Sequence, residues 1–279
     1  MNLHKSEKPL ALSGFLIKVF AFLFMTLDHI GVFLSMKGGF SEAAGILRYI
    51  GRLAFPLFVF LLAEGMRLSR HRGRYLLRTG LAWAVITLPE TLLVYIPAFS
   101  SAIGYGPGNL DPHPFTDIFF LCLLLYCLTL KGWKKAFAVL PAAFFIFCFY
   151  LEYFDAGNPY LPYYLRSGYD LFGMVLALAF FAANVALDKW KPGAPRLLRN
   201  IVNIACLGLV ILVCYFAYAA VGFEGKRFME WEIYALFSGL FLLLYSGKRG
   251  YDAPWWRVFS YSYFLLHMAV LYIIFALIP

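Results

Sequence analysis

Residues 15–36 read FLIKVFAFLFMTLDHIGVFLSM, an apolar run interrupted by three ionisable side chains, Lys18, Asp28 and His29. At ~1.5 Å per residue, a helix of this length crosses a hydrocarbon core of ~30 Å. Asp28 and His29 lie about two-thirds of the way along it. A carboxylate next to an imidazole at that depth is costly unless partners, water or a chemical task hold it there.

Similar runs recur to the end of the chain. Of its 279 residues, 62% are hydrophobic and 14% charged, too little polar surface to cover a soluble domain. The expected fold is all-α, a polytopic helical membrane protein with about nine transmembrane helices. They fall at residues 15–36, 46–68, 79–99, 115–130, 136–151, 169–187, 201–222, 230–246 and 258–278. Alternate connections differ sharply in basic residues. Lys5, Lys8, the arginines from Arg67 to Arg78, Lys131, Lys134, Lys135, Lys189, Lys191, Arg196, Arg199, Lys248, Arg249 and Arg257 fall on one side. The other side holds Lys37, Arg48, Arg166, Lys226 and Arg227. That asymmetry predicts a cytoplasmic N-terminus and an extracytoplasmic C-terminus. It also accounts for the net charge of +9 without a nucleic-acid partner.

The first span is too long and too charged for a cleaved signal peptide. No connection is long enough to form a domain of its own, so residues 1–279 read as one integral membrane domain. The loops at 100–114 and 152–168 are rich in Gly, Pro and Tyr and read as ordinary loops, or else as a lid or a binding platform. No internal repeat is visible, which weighs against a transporter built from inverted halves. The five cysteines lie within apolar runs at spacings that match no metal motif and read as packing thiols.

Position along each span converts to depth. Asp28 lies roughly 20 Å from the cytoplasmic end of the first span, and Arg52 about 9 Å from the outer end of the second. The two share a level, and a guanidinium is the natural partner for a carboxylate there. Adjacent helical residues point ~100° apart, so Asp28 can face Arg52 while His29 faces elsewhere. Glu90 and His267 fall near mid-membrane. Asp117, Asp170 and Glu232 fall near the outer boundary, where they either complement a helix start or line an outward vestibule. Glu64 lies near the cytoplasmic end, within reach of Arg67 and Arg70 for an ion pair. His29, His267 and a carboxylate lack the tight spacing of a metal site, and no metal is expected.

The run Phe24-Met25-Thr26-Leu27-Asp28-His29-Ile30-Gly31 resembles the opening motif of the TraX family, named for an enzyme that N-acetylates conjugative pilin. Further blocks are similar: Leu47-Arg48-Tyr49-Ile50-Gly51-Arg52-Leu53-Ala54-Phe55-Pro56-Leu57-Phe58, Leu62-Ala63-Glu64-Gly65, and the basic stretch from Arg70 to Arg78. So are Asp117-Ile118-Phe119-Phe120, Tyr245-Ser246-Gly247-Lys248-Arg249-Gly250 and Phe264-Leu265-Leu266-His267. The chain departs from the family at Asp117 and Ser246, where Asn is common.

The resemblance implies a bacterial inner-membrane acyltransferase of the wider transmembrane acyltransferase type. It would use acetyl-CoA or another acyl-CoA as donor. The acceptor would be a pilin amine, a surface-glycan sugar or a lipid-linked intermediate. The residues fit such chemistry, since acyl transfer needs a base and a stabiliser of the oxyanion. His29 or His267 would be the base, with Asp28 and Arg52 setting the local field. Arg67, Arg70, Lys248 and Arg249 would meet the donor's phosphates, although topology signalling and lipid head groups also explain basic loops. Glu90, Asp117 and Asp170 would line the acceptor's approach. A proton-coupled transporter would also place Asp, His and Arg in mid-membrane, and a non-catalytic assembly protein for a surface structure is the third class.

Overall fold

The computed structural model describes residues 11–38, 41–94, 96–97, 112–157, 161–162 and 165–277. Among these residues there is no strand, and one isolated parallel bridge pairs Leu12 with Tyr245. The helices are α1 (Gly14–Gly38), α2 (Glu42–Gly51), α3 (Ala54–Leu68), α4 (Arg72–Val94), α5 (Pro114–Leu128) and α6 (Val139–Phe154). They continue as α7 (Asp170–Trp190), α8 (Arg196–Val221), α9 (Phe223–Glu232), α10 (Ser238–Leu243) and α11 (Pro254–Leu277). Short 3-10 turns at Gly132–Ala138 and Ile233–Phe237 lead into α6 and α10.

Six helical stretches among the described residues are long and apolar enough to cross a membrane. They are Gly14–Met36, Glu42–Leu68, Gly132–Phe154, Asp170–Trp190, Arg196–Val221 and Pro254–Phe275, so the chain is a multi-pass helical membrane protein. The remaining three expected spans coincide with helix of a different kind. The fourth is α5, whose 15 residues extend about 22 Å, short of a full core. The eighth is divided among the end of α9, a 3-10 turn and α10. The third lies on α4, which carries Arg72, Arg74 and Arg78 at its start.

The second span is broken where Arg52 and Leu53 separate α2 from α3. Pro56 explains the position of the break. Its nitrogen cannot donate to the carbonyl four residues back, and its ring crowds that carbonyl, which belongs to Arg52. Ser41 caps the other end of α2, its Oγ accepting from the amide of Ala44 at 3.2 Å. A ten-residue helix carrying Arg48 is thus set off from α3, with Arg52 as its C-cap, and both arginines belong to the first unit.

The chain divides into two compact units, Met1–Phe58 with Ala186–Ala205 and Tyr234–Pro279, and Val59–Val185 with Cys206–Ile233. The first is organised around α1. Ile17, Ala21, Phe22 and Phe24 are buried along it, and Phe33 stacks on Phe275 of α11 with centroids 5.1 Å apart. Phe22 stacks on Tyr263 of α11 at 4.3 Å. The second unit is centred on α5, where Leu121, Cys122, Leu124 and Leu125 are buried together with Phe145, Phe172 and Phe180 of α6 and α7. All five cysteines are free thiols, four of them buried.

Glycine brings α1 and α2 to backbone contact in two places. A Cβ on Gly31 would lie 2.8 Å from the carbonyl oxygen of Ala44, and one on Gly51 would lie 2.6 Å from Asp28 Oδ1 and 2.8 Å from its Cα. Gly51→Ala should therefore push the two helices apart and destabilise the detergent-purified protein by about 1–3 kcal/mol. An unchanged thermal midpoint would contradict the close approach.

Candidate functional site

Within the first unit, Arg52 Nη2 donates to Asp28 Oδ1 at 2.6 Å, and Arg48 Nε lies 3.8 Å from the same oxygen. Arg48 lies on α2 and Arg52 caps it in helical conformation one turn later, so both guanidiniums reach the carboxylate from the same face. Arg52 is also steadied through its Nε, which donates to the carbonyl of Arg48 at 3.4 Å. The exposures differ: the side chain of Arg52 is 11% exposed, Asp28 17% and Arg48 30%. The depth-matched pairing of Asp28 with Arg52 is therefore present. Arg48 is an addition that the sequence reading left among the loop charges. Its position four residues before Arg52 was the available signal.

Asp28 and His29 face different ways, as ~100° per residue requires. His29 turns toward α11. Its Nδ1 lies 2.7 Å from the carbonyl of Met25 and 3.3 Å from Nε2 of His267, and the two rings meet edge to face at 4.9 Å. His267 Nδ1 in turn lies 2.9 Å from the carbonyl of Tyr263, whose ring stacks on the imidazole at 5.2 Å. Carbonyl oxygens only accept, so Nδ1 of each neutral ring carries the proton. His267 Nε2 is then an acceptor, and the His29 Nδ1–H is shared between it and the Met25 carbonyl. This leaves the lone pair of His29 on Nε2, which has no hydrogen-bond partner among the described residues. His267 is buried and His29 half-buried. One turn before each histidine, Thr26 Oγ1 and the Tyr263 hydroxyl are 2.8 Å apart and join α1 to α11. The two histidines expected as alternative bases thus meet as one hydrogen-bonded pair.

An apolar hollow of about 310 Å³ lies along another face of α2, lined by Ile46, Tyr49, Ile50, Leu53, Tyr234 and Phe237.

The loop between α10 and α11 is built against the start of α1. Lys248 and Arg249 turn their carbonyls inward, accepting from the amides of Gly14 at 2.8 Å and Phe15 at 2.9 Å. Ser246 closes the same junction through Leu12, its amide reaching that carbonyl at 2.7 Å and its hydroxyl at 2.8 Å. Gly247 and Gly250 both adopt φ of 76°, a conformation costly for other residues. On the loop's other side the Arg196 guanidinium lies 4.1 Å from the Tyr245 ring centre, and Asn200 donates to the carbonyls of Leu243 and Tyr245. With their carbonyls held, the side chains of Lys248 and Arg249 project outward and are exposed. Asp252 then binds Arg249 at 2.7 Å and Arg257 at 2.6 and 2.7 Å. The hydrogen bonds from Arg257 hold the Asp252 carboxyl below the usual carboxylate range; the charges of Arg249, Arg257 and Lys18 act the same way, against partial burial.

In the second unit Glu64 and Arg67 form an ion pair, with Arg67 Nε and Nη2 donating to Oε2 at 3.0 and 2.8 Å. Glu64 is buried and Arg67 nearly so, which commits that guanidinium to the protein. Arg70 is exposed. Asp117 and Asp170, expected near a solvated boundary, are instead buried. Asp117 accepts from the Ser167 hydroxyl and from the amides of Gly168 at 3.1 Å and Tyr169 at 3.3 Å. Asp170 accepts from the Tyr218 hydroxyl and from the amide of Leu171 at 2.5 Å, and it has a left-handed φ of 26°. Both carboxylates fold the start of α7 onto the unit and act as anchors for loop 165–170. Glu90 lies on α4, but its side chain is outside the described residues. Among the described residues no three His, Cys, Asp or Glu side chains are grouped to hold a metal ion.

Comparison with known proteins adds three findings. Residues 13–275 match the family model described as TraX protein. A probable fimbrial assembly protein FimC, serogroup H1, of Dichelobacter nodosus is 39% identical over 77 residues, 28% of this chain and 30% of that protein. The match thus covers less than a third of that relative's length. No solved structure matches the chain.

The geometry around Asp28 makes a specific demand on its partners. Arg52→Gln leaves a half-buried carboxylate short of its main cation and should cost about 3–5 kcal/mol. Asp28→Asn combined with Arg52→Gln should cost less than the two single changes together. Additive effects in a double-mutant cycle would mean that the pair does not couple α1 to α2.

Proposed function

We propose that this chain, which belongs to the TraX family, is a membrane-embedded acyltransferase with His29 as its general base. The observation that carries the reading is the lone pair on His29 Nε2, whose ring is oriented by the His267 and Met25 contacts and which has no hydrogen-bond partner among the described residues. The donor is an acyl-CoA. Nε2 removes a proton from an acceptor amine or hydroxyl, and the resulting nucleophile attacks the thioester carbonyl carbon. The carbonyl π electrons move to oxygen. Arg48, the more exposed of the two guanidiniums, stabilises that oxyanion, while Arg52 holds Asp28. Collapse of the intermediate breaks the carbon–sulfur bond, and the departing thiolate takes the proton from Nε2. The products are the acylated acceptor and CoA.

His267 is a positioning residue in this scheme. Its acceptor nitrogen fixes the tautomer of His29 and shares the Nδ1 proton while His29 is cationic, the role a buried carboxylate plays in hydrolase triads. The basic-residue asymmetry supports about nine crossings, a cytoplasmic N-terminus and insertion in the bacterial inner membrane, with donor from inside and acceptor from outside. The fimbrial assembly relative favours a pilus subunit or its attached sugars as acceptor over a lipid-linked intermediate. The same relative supports a second reading, a non-catalytic pilus assembly protein.

Mass spectrometry of envelope components from cells with and without the protein separates the readings. An acyl mass should be present with the wild type and absent with His29→Ala. His267→Asn should retain activity reduced by about 10²–10⁴-fold, the weight of an orienting contact in acid–base catalysis. Unchanged acylation by well-folded His29→Ala protein would refute the base assignment. Pilus assembly without any added mass would favour the scaffold.

A further inference from the structure

We propose that the cations gathered around Asp252, namely Lys18, Lys248, Arg249 and Arg257, form the site for the phosphates of a phosphopantetheine thioester donor, at a distance from His29 set by α1 and α11. This rests on the acyltransferase reading and narrows it to named residues, two of which, Lys18 and Arg257, carry no assignment from sequence.

Three observations support the site. The first is a charge excess. Among the described residues Asp252 is the one carboxylate that binds Arg249 and Arg257, Lys18 lies one turn along α1 from Gly14, whose amide ends on this loop, and Lys248 projects from the same loop. One negative charge leaves the group strongly cationic. The second is availability: the side chains of Arg249 and Arg257 are 72% and 43% exposed, although both touch Asp252. The backbone of Lys248 and Arg249 is already ordered by the Gly14 and Phe15 amides and by the two left-handed glycines, and Arg257 sits on α11, so little further ordering is needed to bind an anion. Tyr251 and Trp255 expose aromatic rings in the same segment, joined by a 2.9 Å hydrogen bond, and such rings accept a nucleobase face.

The third observation is distance. Lys18 and His29 are separated by about 16 Å along α1, and Arg257 and His267 by about 15 Å along α11. A pantetheine arm has a chain of about twelve bonds, equivalent to some four residues of extended backbone, and so reaches about 14 Å. Both helices therefore place the cation group one pantetheine length from the histidine pair. Phosphates on Arg249 and Arg257 would present the thioester at the level of His29 Nε2.

Phosphate chemistry is shared by a nucleotide donor and by anionic lipid head groups, and the experiment separates them. Full-length protein is reconstituted in nanodiscs of phosphatidylcholine, alone or mixed with phosphatidylglycerol, and binding of CoA and of inorganic phosphate is measured by titration calorimetry. CoA should bind in neutral discs. Lys248→Gln, Lys18→Gln and Arg249→Gln should each weaken it about tenfold or more, as loss of a charge-assisted contact does. Lys134→Gln, on an exposed turn elsewhere, should stay within about twofold. Lys248 makes no side-chain contact that its loss would disturb among those described, so its variant separates binding from folding. In His29→Cys protein the disulfide of CoA should exchange with the new thiol, forming a mixed disulfide at position 29 and releasing one CoA thiol.

Equal CoA affinity in all four variants would overturn the site. So would binding of phosphatidylglycerol alone with no CoA affinity in neutral discs. Tight CoA binding by a protein that transfers no acyl group would keep the site and remove the acyltransferase reading. Acyl transfer with an unchanged KM for acyl-CoA in the Lys18, Lys248 and Arg249 variants would do the reverse.

Discussion

A carboxylate within an apolar helix must be matched by a cation or expelled, and Asp28 is matched by Arg52 at 2.6 Å. Much of the first unit follows from that contact. It requires α2 to lie against α1, and the glycines at positions 31 and 51 permit the approach. It requires the guanidinium of Arg52 to leave the helical path at the right level, and Pro56 breaks the helix at that residue. It also determines the rotation of α1. With Asp28 committed to α2, the next residue must face another neighbour, which is α11.

The division of labour between adjacent residues is the chemical consequence. Asp28 is paired with Arg52 and approached by Arg48, so its charge serves packing and the local field. Among the described residues the contacts of His29 are with a carbonyl of its own helix, the acceptor nitrogen of His267 and aromatic rings. Such surroundings orient the imidazole without occupying its second nitrogen. The loop beginning at Ser246 belongs to the same arrangement, because the first amides of α1 end on its carbonyls. The helix that presents His29 at one level therefore also organises the cations of Lys248 and Arg249 near its start.

How much of this was legible in the sequence depends on how local the determining physics is. Depth along a helix is local, and it sufficed to pair Asp28 with Arg52 across 24 residues. Composition sufficed for the multi-pass helical class. The break at Arg52 was written in Pro56, and Arg48 in its i−4 spacing, yet neither shows in a hydropathy run. The contact of His29 with His267, 238 residues away, was not accessible. Its register is set by Phe22 on Tyr263 and Phe33 on Phe275, packing that no periodicity encodes. Asp117 and Asp170 illustrate the opposite error. Their positions at helix starts suggested solvent, whereas loop 165–170 folds over them and uses their oxygens as hydrogen-bond acceptors.

The central claim is that His29 holds its proton on Nδ1 and keeps the Nε2 lone pair for a reactant. Nitrogen-15 NMR of histidine-labelled, detergent-purified protein reads the tautomer directly, with His29→Ala assigning the resonances. The account predicts a protonated Nδ1 and an unprotonated, acceptor-type Nε2 at neutral pH, and a loss of that single-tautomer signature in His267→Asn. A proton resident on Nε2 of His29 in the wild type would contradict it.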